Sequence, residues 1–209
     1  GIQNLEPMLS PSQTIGEMNP ISLELKSLGQ IMIGLGYLES LNSSLTSKRV
    51  LYDMVNRNSK NIISVLDSKS QEHTILRDSI LPGLLENLSK NIHESYPQKM
   101  FETGTVFTLD NPISEKINFS CISVHQDANF TEIKSILQSA LKTGFDIKID
   151  TKTTAHSTFE QGRCATVIVN NEDVGVIGEI NSKIIDDYKI RVPVVGFEIS
   201  LSDSILKSF

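Results

Sequence analysis

The stretch Ile75-Leu-Arg-Asp-Ser-Ile-Leu-Pro-Gly-Leu-Leu85, followed by Lys99-Met-Phe-Glu-Thr-Gly-Thr-Val-Phe-Thr-Leu-Asp110, carries most of the structural information in this chain. Its first part reads as an arginine-led helix start. Pro82 falls in the first turn, where its missing N–H is harmless, and Leu81, Leu84, Leu85, Leu88 and Ile92 recur at helical spacing. Its second part, from Met100 to Leu109, reads as a strand. Arg77 is open to two readings: a ligand-binding cation, or an ion pair that orders the turn before Leu81.

Upstream, Ile21, Leu25, Leu28, Met32 and Leu35 share one face of a helix expected from Pro20 to Leu35, with Gly36 as its stop. Leu23, Ile31 and Ile33 spread apolarity beyond that face, which fits either plain core or a buried partner contact. A strand from Tyr37 to Leu41, a short helix capped by Thr46 or Ser47, and a strand from Asn61 to Leu66 follow. Gly1 to Asn19, with Pro7, Pro11 and Gly16 and no periodicity, reads as a linker or the tail of an upstream module. Residues 20–209 then form one domain. Starting at Gly1 without methionine, the sequence reads as part of a longer polypeptide.

Downstream, Asn118 to Val124 is expected as a strand and Thr131 to Lys142 as an amphipathic helix with a Gly144 stop; a strand carrying Phe145, Ile147 and Ile149 comes next. Ala165 to Val169, Asn170-Asn-Glu-Asp173 and Val174 to Ile180 form a hairpin signal. A helix near Ser182 to Tyr188 and a strand from Val192 to Ile199 complete the pattern. Hairpin-linked strands interspersed with helices predict an α+β fold, an antiparallel sheet covered by helices on one side.

The 209 residues carry a net charge of -6, with no basic run longer than Lys48-Arg49, which argues against broad nucleic-acid binding by the chain alone. The two cysteines, Cys121 and Cys164, read as buried reduced thiols of a cytosolic protein. No leader pattern and no apolar run near the roughly 20 residues of a membrane helix are present. His73, His93, His125 and His156 lack metal spacing, no phosphate-binding glycine motif occurs, and the glycines read as serving turns, a bulge or close backbone packing. Glu102 and Glu198 have no basic or metal partner in sequence and read as structural or surface charges.

Taken in order, Pro20, Gly34-Leu-Gly-Tyr-Leu-Glu39, Leu45-Thr-Ser47, Leu76 to Leu85, Tyr96 to Gly104, Gly162-Arg163, Gly175 to Ile180 and Val192-Pro-Val-Val-Gly-Phe-Glu198 resemble the β subunit of phenylalanyl-tRNA synthetase in its archaeal and eukaryotic form. The resemblance covers roughly residues 20–206. It implies a class II aminoacyl-tRNA synthetase-like antiparallel sheet flanked by helices. It also implies a cytoplasmic (αβ)2 heterotetramer with a catalytic α subunit, in which phenylalanine is joined to tRNA using ATP and magnesium. In that family the β core is an assembly and tRNA-platform module.

The resemblance also marks a loss. Catalytic class II enzymes carry an arginine after the second-motif strand, and Thr108 stands in that place; the third-motif location, Gly196 to Leu206, shows no arginine either. Amino-acid activation needs fixed cations at the α-phosphate, so no catalytic, cofactor or metal residue is expected here. Gly162-Arg163 lies where the family pattern often reads Pro-Gly-Arg, with Gln161 replacing the proline. Arg163 then either anchors the hairpin or contacts α or tRNA. The alternatives are a free-standing class II synthetase-like enzyme and a regulatory paralogue binding an amino acid in a remnant pocket.

Overall fold

The computed structural model describes residues 2–8, 15–59, 61–66, 68, 70, 72–201, 205 and 206. Within the stretch read as a linker, residues 1 and 9–14 lie outside the described residues, as do 202–204 at the third-motif location. After a 3-10 turn at Ile2–Asn4 the elements run α1 (Pro20–Gly34), β1 (Leu38–Glu39), β2 (Leu45–Thr46), α2 (Lys48–Leu51), a 3-10 turn (Asp53–Val55), β3 (Ile75–Leu76), α3 (Leu81–Lys90), β4 (Gln98–Thr108), β5 (Ser114–Val124), α4 (Phe130–Phe145), β6 (Asp150–Thr153), β7 (Phe159–Val169), β8 (Glu172–Ile180), α5 (Ser182–Asp187) and β9 (Val194–Ser200).

Seven strands form one sheet in the order β1-β4-β5-β9-β8-β7-β6, and β2 and β3 pair apart from it. Every neighbour in the large sheet is antiparallel except the edge strand β1, which runs parallel to β4. Asn170 and Asn171 both adopt positive φ, at 51° and 67°. Two left-handed residues give the twist that a two-residue hairpin needs, and Val169 pairs with Glu172 across it.

Side chains alternate across the sheet, so each long strand feeds two cores. On one face Phe101, Phe119 and Phe197 pack edge to face, with centroids 6.4 and 4.9 Å apart, under Leu28 and Met32 of α1 and Ile133, Leu137 and Leu141 of α4. On the other, Met100, Ile122, Val124 and Val194 pack under Leu81, Leu84, Leu85 and Leu88 of α3 and Ile184 of α5. The expectation of helices on one side is therefore corrected: both faces are covered. The central strands gave no clean alternation because both sets of side chains are buried.

Three smaller expectations change. The strand expected at Asn61 to Leu66 is a single bridge between Ser64 and Ile75. Helix α4 runs through Gly144 and closes at Asp146, whose φ is 59°. The alternating Phe145, Ile147 and Ile149 belong to that helix end and a connector packed on the core, and the strand begins at Asp150. Cys121 and Cys164 are both buried and free, each in a different core.

Candidate functional site

On the α3 side of the sheet lies a cavity of about 260 Å3, floored by Val106 and Thr108 of β4, Asn118 of β5 and Glu198 of β9, and roofed by Leu81, Arg57 and His156. The Thr108 part of that floor is set by local chemistry. Thr108 closes β4 where the chain turns into β5, and its hydroxyl and that of Ser114 both donate to Asp110 Oδ2, at 2.7 and 2.6 Å. Those two bonds pull the Asp110 carboxyl below its ordinary value. The place that the family resemblance gives to an arginine thus holds a short neutral side chain turned into its own hairpin.

Two cations reach the cavity from elements that sequence reasoning did not single out. Arg57 forms a two-pronged pair with Asp78, Nη1 to Oδ1 at 2.9 Å and Nη2 to Oδ2 at 3.0 Å. Tyr52 donates to the same Asp78 Oδ2 at 3.0 Å, and the guanidinium sits 5.2 Å from the Tyr52 ring centre. Burial acts to lower the Arg57 pKa, but Asp78 outweighs it and the group is held above its usual value. Burial first and Asp78 second push the Tyr52 hydroxyl up to about 12. Lys116 is exposed at the cavity mouth. Burial first and Arg57 second hold His156 below its ordinary pKa, and its ring packs on Phe159 at 5.4 Å. No signal in the sequence links Arg57 to Asp78, because they stand 21 positions apart with no motif spacing between them.

Arg77 does not face the cavity. It is 6% exposed. Its Nη1 lies 2.5 Å from Glu102 Oε1 and its Nε donates to the Thr105 carbonyl at 3.0 Å. Glu102 also accepts from Asn42 Nδ2 at 2.6 Å. Gly104 leaves the room for this: a Cβ there would stand 2.3 Å from Arg77 Nη2, and the guanidinium would have to shift from its place across β4. Of the two readings open to Glu102, structural or surface charge, this buried pair is the structural one, with a basic partner that lies 25 positions away in sequence.

Glu198 has no salt-bridge partner among the described residues, but its carboxylate is fully engaged. It accepts from Ser79 Oγ at 2.6 Å, Leu81 N at 2.9 Å, Ile80 N at 3.0 Å and Asn118 Nδ2 at 2.6 Å. Ile80, the residue before α3, offers no capping side chain, and Glu198 fills that role from 118 positions away.

The remaining singled-out residues lie elsewhere. Arg163 is exposed on β7 and bonds Glu179 of β8 at 2.6 Å. On α1, Leu23 and Ile33 are 52% and 57% exposed, whereas Ile31 is half-buried with its Cδ1 over Gly144 of α4. His73, His125 and His156 each have their own partners, and among the described residues no three His, Cys, Asp or Glu side chains gather as a metal site. No helix of the described residues is long and apolar enough to cross a membrane.

Comparison with known proteins places this geometry. A family described as "Phenylalanyl tRNA synthetase beta chain CLM domain" matches residues 6–201. The chain is 34% identical over 206 residues to the phenylalanine–tRNA ligase beta subunit of Archaeoglobus fulgidus, covering 97% of this chain and 37% of that protein. It is 35% identical over 209 residues to the corresponding subunit of Methanosarcina barkeri, covering 100% of this chain and 38% of that one. The chain thus spans little more than a third of the length of these relatives. In fold it is similar to the pyrrolysyl tRNA synthetase PylSc of Desulfitobacterium hafniense, with a TM-score of 0.71 at 13% identity, covering 90% of this chain and 73% of that one.

Proposed function

This chain belongs to the phenylalanyl-tRNA synthetase beta chain CLM domain family, and from that premise we propose that it is a catalytically silent assembly module of a phenylalanine–tRNA ligase. In this reading a separate catalytic α subunit joins phenylalanine to tRNA with ATP and magnesium in the cytoplasm. The present chain supports the (αβ)2 assembly and helps form the tRNA platform. Residues 1–19 connect it to a preceding module.

One observation carries the reading: every guanidinium near the sheet-face cavity is already claimed by a carboxylate. Arg57 is held by Asp78, Arg77 is buried against Glu102, and Thr108 offers only a hydroxyl bound within its own turn. An in-line displacement at an α-phosphate needs fixed positive charge aimed at the developing oxyanion. Loss of a single such donor removes about 3 kcal/mol of transition-state stabilisation. Arg77 and Arg163 then serve as internal ties, one buried across β4 and one spanning β7 and β8.

The face offered to a partner is the outer side of α1. Leu23 and Ile33 stand out there among Ser22, Lys26 and Gln30, and burying them on association would supply apolar contact without disturbing the core. Co-expression with the cognate α subunit tests the whole reading. The chain alone is expected to show no phenylalanine-dependent ATP–pyrophosphate exchange. The co-purified assembly is expected to charge tRNA, and Leu23→Glu with Ile33→Glu is expected to abolish co-purification while leaving the fold intact. Enzyme-like exchange by the chain alone would refute the reading.

A further inference from the structure

The two buried carboxylates on the α3 side of the sheet are held by different chemistry. Glu102 faces a guanidinium. Glu198 accepts hydrogen bonds only from neutral donors, one hydroxyl, two backbone N–H groups and one side-chain amide, drawn from the start of α3 and from β5, while Arg57 of the same cavity acts on it through space without a hydrogen bond. Two of them are the leading N–H groups of a ten-residue helix, where the aligned peptide dipoles are most positive. Ser79 Oγ and Asn118 Nδ2 close the set from opposite sides, and the residue is 8% exposed at the floor of the sheet-face cavity. A convergent set of uncharged donors around one carboxylate is the chemistry by which proteins take up a small carboxylic acid.

The backbone that presents Glu198 is itself fixed. A Cβ on Gly175 would stand 2.1 Å from the Glu198 carbonyl oxygen, so β8 presses on β9 at this residue. The side chain therefore reaches the donor set from a rigid strand. We propose that Glu198 is an internal occupant of a carboxylate-binding site, a side chain that fills the donor set at the floor of the sheet-face cavity and so denies it to free carboxylates, amino acids included. On this account two things keep the cavity silent: the missing cation at Thr108, and an intramolecular ligand that already fills its anion position. The inference does not depend on assembly with an α subunit.

Glu198→Ala removes the carboxylate with its methylene and leaves all four donors in place, a gap the size of acetate. In the whole polypeptide carrying this chain, the variant is titrated with fluoroacetate and followed by 19F NMR line broadening. Saturable binding is expected, with half-saturation on the order of 10 mM for so small a ligand. Acetate should displace it, and butyrate should do so poorly. Wild type should show no saturable binding, and neither should Glu198→Gln, whose amide still fills the site. A folded Glu198→Ala protein that binds no fluoroacetate, or binding equal in all three proteins, would overturn the proposal. Should Glu198→Ala fail to fold in plain buffer, refolding in acetate but not in equal chloride supports the proposal, and failure in both refutes it.

Discussion

The two faces of the large sheet differ in what they bury. Under α1 and α4 the filling is apolar, three edge-to-face phenylalanines and aliphatic side chains, and the charged groups Lys99, His125 and Glu132 stay at the rim. Under α3 the same strands bury Arg77, Glu102 and Glu198. An apolar filling asks mainly for volume and shape. A buried charge asks for a particular partner at a particular distance, because an uncompensated one is heavily penalised. The difference shows where the fold is positional: the face that keeps a cavity also keeps charges that must be placed one by one.

Removing one half of the buried pair should break this contrast most visibly. Arg77→Met leaves Glu102 buried and unpaired, and a loss of about 3–5 kcal/mol in urea unfolding is expected. Adding Glu102→Leu should recover much of it, since the stranded charge then disappears. A loss under about 1 kcal/mol for Arg77→Met would mean that the two faces tolerate change alike. On the apolar face, Ile133→Val trims a fully buried side chain of α4 and should cost about 1 kcal/mol with an unchanged m value.

The smallest effect concerns pH. Burial and Arg57 hold His156 below its ordinary pKa, so the unfolded chain binds its proton first. The stability that neutral His156 contributes is present above its unfolded pKa of about 6.5 and is lost as pH falls from there toward the folded value. His156→Gln should flatten the stability profile just below about pH 6.5 and leave it unchanged near pH 8, read by denaturant midpoints across the range.

Much of the scaffold was readable because its signals are local. The Pro82 helix start, the β4 run and the Asn170-Asn171 turn each reside in a few consecutive residues, and each appears where periodicity and turn chemistry put it. The site was readable only as a vacancy, through Thr108. What occupies its surroundings was not: Asp78 claims Arg57, Glu102 claims Arg77, and Glu198 caps a helix 118 positions upstream. Those pairings are made by sheet register and loop path, and no spacing rule carries them. The connector at Ile147 and Ile149 misled for a related reason, since any segment pinned to a core by every second residue mimics a strand.

The placement of the two thiols has a use of its own. Cys121 lies beneath α1 and α4 and Cys164 beneath the opposite layer, and burial raises the pKa of both, Cys164 to about 11. Alkylation must wait for the covering layer to lift, so each sulfur keeps time for one side of the molecule. Their modification rates, read separately by mass spectrometry, turn the native sequence into a two-channel clock that tells which half of the domain breathes first.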